Sequence, residues 1–141
     1  SILFTQTLLW GTVVGVIHFM IVGMLYGNPF VDRIYQAAMQ TEPGVRKWPS
    51  RGAYLLTQFL GTQIEVYIVA LAYFFVRPLM PESSVAPTLT VGLLLAGVRV
   101  YPRFWNMFIQ STYPRRLLAI EFVNGVISTL TIVVGLSWFT S

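Results

Sequence analysis

Residues 1–29 read SILFTQTLLWGTVVGVIHFMIVGMLYGNP and contain no Asp, Glu, Lys or Arg. An α-helix rises about 1.5 Å per residue, so crossing a hydrocarbon core of about 30 Å takes roughly 20 apolar residues. The run from about Ile2 to Tyr26 meets that length without a charge, and it reads as a membrane span. It does not read as a cleavable signal peptide, because it lacks a basic leading region and its apolar stretch is too long for one. Gly11 and Gly15 stand four residues apart, with Phe19 and Gly23 continuing the same stripe, a pattern suited to close helix packing. The chain starts at Ser1 rather than Met, so a start methionine or a longer leader is expected to have preceded it.

The rest of the chain fits that beginning. It has 141 residues, 55% hydrophobic and 10% charged, whereas soluble domains are about a quarter charged. Disorder needs low hydrophobicity and high net charge, and a nucleic-acid module needs clustered cations on a solvated face; neither pattern is present. The chain has no cysteine, which excludes disulfides, thiolate nucleophiles and Cys-ligated metals. Three further spans are expected at about 53–76, 85–101 and 117–139, the third being the shortest. Asn28-Pro29, Pro43-Gly44, Trp48-Pro49, Arg77-Pro78, Pro81, Tyr101-Pro102 and Tyr113-Pro114 punctuate the segments between them. Pro87 falls in the first turn of the third span, where proline is tolerated. Residues 1–141 therefore read as one all-α domain, an integral membrane four-helix bundle.

Charge placement predicts orientation. Arg33, Arg46, Lys47 and Arg51 follow the first span and Arg99, Arg103, Arg115 and Arg116 follow or end the third, leaving Arg77 alone on the other side. Short Lys/Arg-rich loops stay cytoplasmic, so both termini are expected outside. The net +4 charge is then topology and attraction to anionic headgroups. Both basic loops are expected to hold short amphipathic interfacial helices. Asn28 can cap one starting at Pro29, with Phe30, Ile34, Ala37 and Ala38 on one face, and Phe104, Trp105, Phe108 and Ile109 mark the other. Trp48, Trp105 and Trp138 read as interfacial anchors, while Trp10 lies about two turns deep.

Polar groups at hydrocarbon depth are the candidate functional residues, since a central charge costs about 2.5–3.5 kcal/mol even on mild insertion scales. Measured from the basic end of each span, His18 and Asn124 lie about 12 Å deep, Glu65 about 18 Å and Glu121 about 7 Å. His18, Glu65 and Asn124 form a candidate intramembrane site. If Glu65 meets His18, the two could share a proton, bind a cation or hold an amine, and the alternative is a protonated Glu65 bonded across the bundle or against a partner. Arg99 and Glu121 are expected to form an interhelical ion pair. As the single histidine, His18 cannot support a bis-His haem or a two-histidine zinc site, but it could give one axial bond to haem or chlorophyll. No metal site is expected, and no nucleotide loop or catalytic triad can be assembled.

The order of features resembles small four-helix integral membrane proteins known only as a domain of unknown function. The likeness rests on the glycine-spaced first helix running into Met24-Leu-Tyr-Gly-Asn-Pro-Phe30, on Asn106-Met-Phe108 followed by Pro114-Arg-Arg116, and on Asn124-Gly125 with Gly135-Leu-Ser-Trp138. It implies the four-helix fold and no activity. The leading functional expectation is a non-catalytic accessory or assembly subunit of a larger membrane complex, bound to lipid and to other membrane subunits or itself. A small proton- or cation-coupled transporter using Glu65 and His18, and a pigment- or haem-binding subunit using His18, are the alternatives.

Overall fold

The computed structural model describes residues 1–80 and 85–140, and every regular element in them is helical. The order is α1 (Ile2–Gly27), α2 (Pro29–Thr41), α3 (Arg51–Val76) closing in a 3₁₀ turn at Arg77–Leu79, α4 (Val85–Gln110) and α5 (Arg115–Thr140). Helices α1, α3, α4 and α5 are each long and apolar enough to cross a membrane. The expected breaker Pro81 lies outside the described residues. Below, the basic-loop end is the end holding α2 and residues 42–50 and 111–114, and the terminal end is the opposite one.

Helices α1, α3 and α5 pack against one another, and α4 lies along α5. Their shared core is apolar and sits toward the terminal end: Val14 from α1, Val66, Val69, Ala70, Tyr73 and Phe74 from α3, and Ile132, Val133 and Leu136 from α5. Trp10 stacks on Phe139 at 5.5 Å, so this deep tryptophan is packing rather than interfacial. Small residues set how closely the helices approach. A Cβ at Gly11 would come within 2.7 Å of the Tyr67 ring, and one at Gly15 would collide with the Gln63 amide. On the other seam, a Cβ at Gly92 would meet Leu130 at 2.8 Å and one at Gly125 would meet Val100 at 2.9 Å. Gly23, expected in the α1 stripe, faces open space. The α1–α3 seam ends instead in the edge-on pair Phe19–Phe59 at 5.0 Å, one turn before Gly23.

Two expectations about the third span are corrected. It is 26 residues long rather than the shortest, and Pro102 lies inside α4 rather than ending it. Proline removes one N–H, leaving the Val98 carbonyl without its usual donor, but stopping the helix at Tyr101 would unpair a whole turn of backbone near hydrocarbon. Continuing costs less. Residues 103–110 are thus the end of a spanning helix and not a separate interfacial one.

Helix α2 forms as expected, with Asn28 serving two helices. Its Oδ1 accepts from the Val31 N–H at 3.0 Å, capping α2, while its Nδ2 donates to the Met24 and Leu25 carbonyls at the end of α1. The packed face is rotated from the expected one: Ala38 is buried and Ile34 and Tyr35 half-buried, whereas Phe30 and Ala37 are exposed. Tyr35 causes the rotation, because its hydroxyl reaches into the bundle.

Candidate functional site

The four spanning helices converge on one polar cluster at mid-depth. Arg99 of α4 donates from Nε and Nη2 to Glu65 Oε2 of α3, at 2.8 and 2.6 Å. Its Nη1 donates to Ser128 Oγ at 3.1 Å and to Thr129 Oγ1 at 2.8 Å, both on α5. Each hydroxyl donates in turn to the Gly125 carbonyl, one turn back, which turns its lone pairs toward the guanidinium. The Arg99 side chain is 23% exposed and Glu65 is 50% exposed, on the side where α3 and α4 flank α5.

The expected Arg99–Glu121 pair is not made. Because α4 continues through Pro102, Gln110 is its basic-loop end, and Arg99 lies about 16 Å up the helix from there. That depth matches Glu65, the acid near the centre of its span that the sequence reading expected to be protonated or partnered. Of the two readings left open for Glu65, contact with His18 or a bond across the bundle, the carboxylate makes a bond across the bundle, to Arg99. His18 nonetheless sits beside the pair, where the charges of both Arg99 and Glu65 act on it. It is 1% exposed, and neither ring nitrogen has a hydrogen-bond partner among the described residues. The imidazole is thus enclosed by the packed helices.

Gln63 lies on the α1 side of the same region. Its Nε2 donates to the Gly11 carbonyl at 3.1 Å, and its buried Oε1 has no partner among the described residues. Asn124 stands four residues before Ser128 on α5, about 6 Å nearer the basic-loop end, and its buried Nδ2 faces the Tyr26 hydroxyl without a well-formed hydrogen bond. It therefore bonds neither Glu65 nor His18.

A second cluster stands at the basic-loop end. Glu121, only 13% exposed at its side chain, accepts from Arg103 Nη1 at 2.7 Å. It also accepts from the hydroxyls of Tyr35 and Tyr113, at 2.8 and 2.5 Å. Burial first, and the Glu121 carboxylate second, push the Tyr35 phenol well above its usual range; for Tyr113, burial and the hydrogen bond to Glu121 do the same. One carboxylate thus ties α2, α4, the 111–114 segment and α5 together. Arg103, Tyr35 and Tyr113 were missed as functional residues in the sequence. The spacing of Arg103 one turn beyond Arg99 is the signal that could have found the first, but the tyrosines carry none.

Among the described residues, no three of His, Cys, Asp and Glu converge as a metal site. A family model described as a protein of unknown function, DUF1761, matches residues 10–137. No curated protein and no solved structure matches the chain.

Proposed function

We propose that this chain, which belongs to the DUF1761 family of proteins of unknown function, is an accessory or assembly subunit that works by lateral contact within a membrane. One observation carries the reading: the Glu65 side chain is half exposed at mid-span while paired with Arg99. An ion pair open to hydrocarbon on one side forgoes solvation that a protein neighbour could supply, since intramembrane charges face a bundle interior, a partner or water. Gly61 stands one turn from Glu65 on α3, and a Cβ added there would meet nothing within 4 Å, which gives a neighbouring helix room to approach. Both features support another transmembrane surface over the α3–α4 side, supplied by a larger complex or a second copy.

Orientation is part of the proposal. Arg33, Arg46, Lys47, Arg51, Arg103, Arg115 and Arg116 gather toward one end and Arg77 lies at the other, which supports a cytoplasmic basic-loop end with both termini outside. Arg99, counted with the loops from sequence, belongs to the mid-depth cluster and leaves the asymmetry intact. The guanidinium of Arg46 lies over Trp48 at 4.6 Å, which suits an anchor at headgroup level.

Purification in a mild detergent with native mass tests the reading. The wild type should run in an assembly larger than the 15.9 kDa chain, and Glu65→Leu combined with Arg99→Leu should release it. Recovery of wild type and variant alike as the single chain would sink it.

A further inference from the structure

We propose that the half of the bundle nearer the basic loops encloses an aqueous inlet ending at His18 and the Arg99–Glu65 pair. The inlet stands independently of the subunit reading, because it rests on the interior of the bundle and not on its outer face.

Its wall is written along α5. Glu121, Asn124 and Ser128 are spaced three and four residues apart and so share one face of the helix, rising from the Glu121 cluster to the hydroxyls that hold Arg99. Beyond Thr129 the same helix buries Ile132, Val133 and Leu136 in the apolar core, which closes the path toward the terminal end. Along the bundle axis, polar access is therefore left to the basic-loop side.

The second observation is a set of buried polar atoms that no protein group satisfies. Both nitrogens of His18 and the Gln63 Oε1 lack partners among the described residues, and the Asn124 Nδ2 has only the Tyr26 hydroxyl, short of a well-formed bond. Gln63 is pressed against Gly15, which is three residues before His18 and on its face of α1. Buried polar groups are ordinarily satisfied, and water does this where two to four of them converge. The Tyr73 hydroxyl is also unpartnered, but it lies in the apolar core beside Val69, Ala70 and Phe74, where no cluster of polar groups could hold a water.

The ligand is therefore water, and with it protons. A neutral imidazole has one N–H and one lone pair. A proton on an inlet water can add to the lone-pair nitrogen as its O–H bond breaks, and the original N–H can then pass to another water as that bond breaks. The ring ends neutral in its other tautomer, and no charge is left behind. The charged groups facing His18 are Arg99 from α4 and Glu65 from α3, while α5 brings the Ser128 and Thr129 hydroxyls at this depth.

Because the chain has no cysteine, single substitutions report water directly. Asn124→Cys and Ser128→Cys, in membranes, should react with a small cationic methanethiosulfonate at least ten-fold faster than Ile132→Cys and Leu136→Cys. Equal rates at all four positions, or inert thiols at 124 and 128, would overturn the inlet. The unsubstituted chain gives a second, deciding readout, since ¹⁵N-histidine labelling yields one ring signal. In lipid nanodiscs with D₂O its N–H should exchange within minutes; protection for days would mean a dry, packed histidine.

Discussion

Arg99 uses one guanidinium to satisfy an acid on α3 and two hydroxyls on α5, so its loss strands more than a single bond. Removing one partner of a desolvated pair leaves an uncompensated charge, whereas removing both does not. Arg99→Leu and Glu65→Leu should each lower stability by about 2–3 kcal/mol, the low side of buried pairs because Glu65 is half exposed, and the double substitution should cost less than either alone. Denaturant unfolding in bicelles measures all three; a double variant as weak as the sum of the singles would contradict the pairing. At Glu121 the prediction concerns pH. The folded Tyr35 and Tyr113 phenols are raised above the ordinary 10.0, so both states are protonated below that pH and the contribution is complete. As pH rises above 10.0 the unfolded chain ionises first and stability falls. Unfolding followed by circular dichroism from about pH 8 to about 12 should show that fall, and Tyr35→Phe should reduce it. Sequence reading found the residues worth attention at this scale, His18, Glu65, Arg99, Glu121 and Asn124, because charge in an apolar run is conspicuous. It misassigned their partners, because pairing depends on where each helix ends, and Pro102 concealed the end of α4.

Among the elements, α4 is held to α5 through small residues rather than through a broad apolar face. Gly125→Val should push against Val100 and destabilise by about 1–3 kcal/mol, while Gly23→Ala, in open space, should stabilise by about 0.5–1 kcal/mol through helix propensity alone. Thermal melts of both in one detergent decide this, and equal effects of either sign would show that the seam is not glycine-limited. The four spans were legible because about 20 apolar residues in a row have few other uses. Helix α2 was legible from Asn28-Pro29, yet its packed face was not. Tyr35 bonds its hydroxyl to Glu121, 86 residues away along the chain, and no local pattern reports that.

The molecule as a whole divides across its length. The apolar core lies toward the terminal end, the Glu121 cluster stands at the basic-loop end with the Arg99 cluster at mid-depth, and α4 stands outboard of a three-helix body with an ion pair at its edge. That edge carries the central claim, that the α3–α4 side is covered by another transmembrane surface. A lipid-soluble diazirine, photoactivated in native membranes and read by mass spectrometry, compares this side with the exposed Leu8–Met20 face of α1. The account predicts that residues 61–68 are labelled several-fold less than that face, and that Glu65→Leu with Arg99→Leu restores the labelling. Equal labelling of the two faces in the wild type would contradict it.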